Sequence, residues 1–192
     1  MFTFLITKVS DMAKPRVLSI LGQLGAKAER DIENLNYGGC GVFAAQVAAM
    51  LQYVDGVENV CVRVGATYGV GGNKNRVDDV LEQSNATRGE IGNILSQNGI
   101  CNGHLAVQFD YRRVTYHFDS TGCYPARDVD VFSRGPGHTT FYLYKGALTP
   151  ELAVDYADEV DQWNSSFSRR QIPKLTEIIE EHIGEIAFYE GN

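Results

Sequence analysis

Cys40, His104 and Asp119 are the residues of this chain whose types and surroundings could carry covalent chemistry. Cys40 stands in Asn36-Tyr37-Gly38-Gly39-Cys40-Gly41, three glycines around one thiol, and a helix-like run to Leu51 follows at once. Gly38 and Gly39 can take backbone angles closed to other residues, so the stretch predicts a tight turn into a helix starting near Cys40 or Gly41. A thiol placed there faces unpaired N–H groups and the positive end of a helix dipole, which favour the thiolate that attacks electrophiles.

A thiolate nucleophile needs a base to accept its proton, and the base needs a third group to orient it. The segments Gly103 to Asp110 and Arg113 to Ser120 alternate like two strands of a hairpin around Tyr111-Arg112. A loop of two or four residues centred there sets His104 directly opposite Asp119, close enough for an imidazole–carboxylate contact. A three-residue loop sends Asp119 to the other face. The same register predicts an apolar face of Leu105, Val107, Phe109, Val114, Tyr116 and Phe118. It predicts a polar face of His104, Ala106, Gln108, Thr115, His117 and Asp119, on which a cysteine-bearing helix could dock and meet His104. His117, on that face, is the rival base. Asp119 either orients the histidine or caps the turn with Ser120 and Thr121. Acyl chemistry also needs oxyanion donors. The Cys40 backbone N–H is the natural first, and a side-chain amide of Asn34 or Asn36 is the second, unless these residues cap the turn instead.

These residues carry a family resemblance. Asn36-Tyr37-Gly38-Gly39-Cys40-Gly41-x-Phe43, then Gly103-His104-Leu105-Ala106-Val107, then Tyr116-His117-Phe118-Asp119-Ser120-Thr121-Gly122, resembles the Cys…His…Asp order of the papain-like and transglutaminase-like superfamily. Small phage and bacterial proteins of that type are similar, and the resemblance covers about residues 34 to 122. It implies Cys40 as nucleophile, His104 as general base and acid, and Asp119 as orienting carboxylate. Where papain-like peptidases place a glutamine upstream of the cysteine, this chain has Asn34 and Asn36. Where transglutaminase relatives place aromatics beside the cysteine and the histidine, it has Gly41 and Leu105.

The elements that must position these residues are legible along the chain. Phe2 to Thr7 reads as a short strand. Apolar residues from Val17 to Leu35 recur at helical spacing, as one helix or, because of Gly22 and Gly25, two. The cysteine helix runs to about Val54 before Asp55-Gly56. Val57 to Tyr68 alternates as a strand. Gly69 to Asn75 is a glycine-rich loop that matches neither phosphate-binding motif, and Arg76 to Gln97 reads as one or two helices. Gly122 to Gly137 reads as irregular, with a short strand in Val129 to Phe132, and Thr139 to Tyr144 as a further strand. Thr149-Pro150-Glu151 is a helix start, and a last helix begins near Pro173.

The expected fold is therefore α+β, papain-like or transglutaminase-like: N-terminal helices with the cysteine at a helix N-terminus, a small and mostly antiparallel sheet, and a C-terminal helical pair. A single domain of 192 residues accommodates this, with a core at about 15–145 and a helical extension at about 149–189. A net charge of -7 and the lack of a basic run argue against a nucleic-acid binder. No stretch approaches a membrane span, and the N-terminal apolar run is too short for a signal peptide. The four cysteines, Cys40, Cys61, Cys101 and Cys123, form no CxxC pair and read as free thiols of a cytoplasmic protein. A metal set from Cys40, His104, His117 and Cys123 lacks ligand spacing, so no metal or cofactor is expected. Two functional readings follow. One is a cysteine hydrolase, peptidase or acyltransferase acting on an amide or thioester bond of a peptide, protein or small amide. The other is a binding or inhibitory protein on the same scaffold, such as a phage accessory factor.

Overall fold

The computed structural model describes residues 16–68, 97, 100–133, 140–143, 147–150, 153 and 167–190. Among these, three α-helices form, α1 (Arg16–Asp31), α2 (Cys40–Leu51) and α3 (Ile172–Glu190). Six strands accompany them: β1 (Val57–Tyr68), β2 (Ile100–Tyr111), β3 (Val114–Asp119), β4 (Gly122–Pro125), β5 (Val131–Ser133) and β6 (Thr140–Leu143). They make one sheet in the order β4-β3-β2-β1-β6-β5, and every pairing is antiparallel. The class is α+β. The strand expected in Phe2 to Thr7, the Gly69 to Asn75 loop and nearly all of the Arg76 to Gln97 helices lie outside the described residues, as does most of the helix expected from Thr149. Its first turn is described: Pro150 is helical, and the Ala153 N–H donates to the Thr149 carbonyl at 2.9 Å.

The three helices share one layer. Their apolar stripes join one face of the sheet in a single buried cluster that runs from Val17, Leu21 and Leu24 of α1 through Phe43, Val47 and Leu51 of α2 to Leu175, Ile179 and Ile183 of α3. From the sheet, Val62, Val64, Leu105, Val107, Phe109 and Phe118 close this core. Helix α3 thus wraps the core. The opposite face carries a smaller cluster of Ala106, Phe132, Phe141 and Leu143. Helix α2 therefore docks on the apolar face of the hairpin and not, as the sequence suggested, on the polar one. Its residues are apolar nearly all round, and burying Val42, Phe43, Ala44 and Val47 against aliphatic side chains gains far more than packing them on a histidine–carboxylate surface.

The hairpin register also differs from expectation. Val107 pairs with Phe118 and Tyr111 with Val114, so the turn is Arg112-Arg113 and β3 is slid two residues along β2. Both arginines take left-handed angles, φ 52° and 66°, as a two-residue turn matched to the right-handed strand twist requires. The Arg112 guanidinium lies 5.2 Å from the Tyr111 ring centre, an attraction that offsets part of the strain. A slide of two keeps every side chain on its expected face. His104 and Asp119 become diagonal instead of directly opposite neighbours, still within side-chain reach.

Gly22 and Gly25 do not divide α1. A Cβ on Gly25 would lie 2.6 Å from the Ser120 carbonyl oxygen, whereas one on Gly22 would meet nothing within 4 Å. Gly25 thus lets α1 lie against the turn that follows Asp119. Gly25→Ala is expected to destabilise the protein by about 1–3 kcal/mol through overpacking against backbone. Gly22→Ala is expected to stabilise it by about 0.5–1 kcal/mol through helix propensity alone. Urea denaturation of the two variants checks the contrast, and equal midpoints would sink the close-packing account.

Candidate active site

Cys40 opens α2 directly from a kinked turn at Leu35–Gly39, in which Tyr37 and Gly38 leave helical angles. The two glycines of that turn have different jobs. Gly38 sits at φ 119°, a conformation that side chains rarely take. Gly39 has ordinary angles, but a Cβ there would lie 2.6 Å from the ring of Phe167, which packs over the turn. No side chain caps the start of α2. Cys40 is half-buried as a residue and packs against the core, while the residues that follow it are buried.

His104 is buried on β2, where the β1–β2 pairing shifts register between Gly65 and Ala66. Its ring is stacked on Phe141, 4.7 Å between centroids, and on Phe132, at 5.5 Å. Its Nε2–H donates to Asp119 Oδ2 at 2.8 Å. His104 also interacts with the Cys40 thiol, which lies beside it. Asp119 is held in turn, because its Oδ1 accepts the Thr121 N–H at 2.8 Å and the Thr121 hydroxyl at 2.6 Å. Capping the turn and orienting the histidine, which the sequence left as alternatives, are thus done by the two oxygens of one carboxylate.

The structure brings Cys40, His104 and Asp119 together at the end of the sheet, beyond the last β2–β3 rung at Val107 and Phe118. It directs Asn36 elsewhere. That side chain donates through Nδ2 to Glu29 Oε1 at 3.0 Å and accepts the Ser120 hydroxyl at 2.8 Å, so its amide ties the turn to neighbouring elements. Asn34, in the left-handed region at φ 57°, precedes the Leu35–Gly39 turn and makes no side-chain capping bond to it.

Electrostatics shift Cys40 and His104 toward their charged forms. Burial pushes the Cys40 thiol up, but the His104 hydrogen bond and charge, with hydrogen bonds from the Leu105 and Gly41 backbone N–H groups, outweigh it and leave the thiol below its ordinary value. Burial pushes His104 down, yet its hydrogen bonds to Asp119 and Cys40 win and hold the imidazole above its ordinary value. His117 shows the opposite balance. It is buried, its Nε2 lies 3.3 Å from Gln108 Oε1, and burial followed by the Arg63 guanidinium pushes it down to about 4. Arg63, nearly buried itself, donates to Gln108 at 2.7 Å and to Asp130 at 2.9 Å. His117 therefore belongs to a separate polar network and stays neutral.

The sequence marks Thr121 only as part of the turn that Asp119 caps, and it does not mark Phe132, Phe141 or Phe167 as site residues. Thr121 had a readable signal, a hydroxyl two residues after an aspartate in a turn. The three phenylalanines had none, since each meets the site only through long-range pairing. Among the described residues, no group of three or more His, Cys, Asp or Glu could hold a metal ion, and no helix is long and apolar enough to cross a membrane. No family model, no curated protein and no solved structure matches this chain.

Two measurements follow. Cys40 sits below the ordinary thiol range, whereas burial, against the pull of Arg63, holds Cys61 above it. Iodoacetamide alkylation mapped by mass spectrometry across pH is expected to label Cys40 well below about pH 8.5, the free-thiol value, with Cys61 silent there. His104→Ala is expected to remove that advantage, and a Cys40 no faster than Cys61 would refute the ion-pair account. For His117, the folded value of about 4 lies below the usual 6.5, so between those pH values the unfolded chain binds a proton that the folded chain refuses. Stability should fall as pH drops through that window, by up to roughly 3 kcal/mol. Urea midpoints for His117→Gln should fall less steeply from pH 6.5 to 4.5, and parallel curves would rule the account out.

Proposed function

We propose that this protein is a cysteine-nucleophile hydrolase or acyltransferase that acts on an amide or thioester bond through an acyl-enzyme. One observation carries the reading: the thiol at the uncapped start of α2 interacts with a buried imidazole whose Nε2–H is held by Asp119 at 2.8 Å. Cys40, His104 and Asp119 also follow the chain order of papain-like and transglutaminase-like enzymes, and we place the fold with them. In this mechanism the Cys40 thiolate adds to the substrate carbonyl, with its proton resting on His104 Nδ1. The oxygen that gains charge faces the positive end of α2. His104 then gives its proton to the departing amine or thiol, which leaves Cys40 as a thioester. Water or an acceptor nucleophile, deprotonated by His104, releases the acyl group. Asp119 holds the ring in one tautomer and stabilises its charged form. The chemistry needs no cofactor, and the substrates are peptides, proteins or small amides.

Cys40, Cys61 and Cys123 are free thiols, which fits a reducing, cytoplasmic setting. A non-catalytic binding protein on this scaffold draws on the commitment of the Asn36 amide to Glu29, away from an oxyanion. Acylation by p-nitrophenyl acetate separates the two readings. The enzyme reading expects a burst of nitrophenol and an acetyl group on Cys40 alone, slowed about 10²–10⁴-fold in His104→Ala and lost in Cys40→Ala. Acetyl spread evenly over Cys40, Cys61 and Cys123, or none at all, would favour the binding protein.

A further inference from the structure

Cys40 and Asp119 reach His104 from different parts of the chain, one at the start of α2 just after the Leu35–Gly39 turn and the other at the end of β3. Each is held locally. Phe167 packs over Gly39, Thr121 grips the Asp119 carboxylate, and Phe132 and Phe141 fix the imidazole plane. A proton transfer between Cys40 and His104 also demands that the two turns keep a constant separation, because a shift of a few tenths of an ångström breaks the thiol–imidazole hydrogen bond.

We propose that Asn36 is the positioning residue that sets this separation, by joining the cysteine turn to the Asp119 turn through Ser120 and to α1 through Glu29. The proposal rests on the reading of Cys40 as nucleophile. The two hydrogen bonds have a forced direction. A carboxylate only accepts, so Glu29 must face the Asn36 amide nitrogen, at 3.0 Å. That leaves the Asn36 oxygen facing Ser120, whose hydroxyl must be the donor, at 2.8 Å. Ser120 is buried, its hydroxyl bond spans 84 residues of sequence, and its backbone carbonyl lies against Gly25 of α1. Asn36 thus sits where α1, the cysteine turn and the aspartate turn meet, four positions before the nucleophile and bonded to the neighbour of the orienting acid. It touches neither substrate nor the reacting atoms in this arrangement. Its effect on the chemistry passes through the Cys40–His104 distance.

The test is the pH midpoint of Cys40 alkylation by iodoacetamide in the full chain, with urea denaturation beside it. Asn36→Ala and Ser120→Ala change no charge. Each is expected to raise the midpoint so that the rate at pH 6 falls roughly tenfold, the equivalent of about one pKa unit, and the double variant is expected to be no worse than either single one. Asn36→Asp alone sets two carboxylates against each other and should raise the midpoint too. Asn36→Asp combined with Glu29→Gln reverses donor and acceptor while keeping both bonds and the net charge, and it should restore the wild-type midpoint. A residue that served only stability would lower the urea midpoint and leave the alkylation profile where it was. An unchanged profile in Asn36→Ala and Ser120→Ala, with the wild-type midpoint still low, overturns the positioning role and leaves the enzyme reading standing. A wild-type midpoint at the ordinary thiol value overturns both. Should Ser120→Ala fail to fold, Asn36→Ala at its half-exposed position gives the same readout.

Discussion

The hydrogen bond from His104 Nε2 to Asp119 Oδ2 is the interaction on which the rest of the site depends. A buried imidazole strongly prefers to be neutral, and a thiol among apolar residues prefers to keep its proton. Burial works against charge on both His104 and Cys40 here, and it is the largest single influence on each. The carboxylate reverses the outcome. With Asp119 fixed on one nitrogen, the other nitrogen can take a proton from Cys40, and each charge then stabilises its partner. The site is poised because each unfavourable burial is matched by a directed hydrogen bond, and removal of one partner would leave the next charge uncompensated.

That balance sets what the scaffold must do. Helix α2 is nearly apolar all round and would pack in many orientations on an aliphatic sheet face. Its rotation and height are set at its ends instead. Gly39 lets the Phe167 ring lie directly on the entry turn, and Gly25 lets α1 press against Ser120. The two contacts have the same physics: a missing Cβ allows an approach that any other residue would forbid. They hold the cysteine turn and the aspartate turn at two points of one layer, with the imidazole packed against the Phe132 and Phe141 rings, which also stack on each other.

Much of this was readable in the chain, for reasons that differ element by element. The glycines around Cys40 announced the turn and the helix, because positive φ and close approach leave a compositional mark. Strand β1 has the bounds that its alternation predicts, Val57–Tyr68, although its pairing with β2 shifts register twice. The facing sets of the hairpin came through because side-chain period is insensitive to a slide of two. The slide itself was hidden: Arg112-Arg113 is a turn formed against local preference, held by strand twist and by Tyr111, and neither is a local signal. The docking face of α2 is not legible, because the polar His104 face that could receive a helix is covered instead by Phe132 and Phe141, whose placement is long-range. Asn36 showed its amide but not its partners, since both bonds depend on tertiary placement.

The two buried histidines of that face show why geometry, and not residue type, assigns the roles. His104 and His117 sit on adjacent strands of one sheet, both with little solvent contact. His104 meets a carboxylate and a thiol, so a proton on it is welcome. His117 meets the neutral Gln108 amide within reach of the Arg63 guanidinium, and a second positive charge there is resisted. Arg63 in turn is satisfied by Asp130 and Gln108, which ties the segment before β5 to the sheet interior. Phe132 stands at the boundary between the two environments, stacked on His104 and edge-on to His117. A single apolar ring therefore borders both environments, one where burial and Arg63 resist a proton on His117 and one where Asp119 and Cys40 favour a proton on His104.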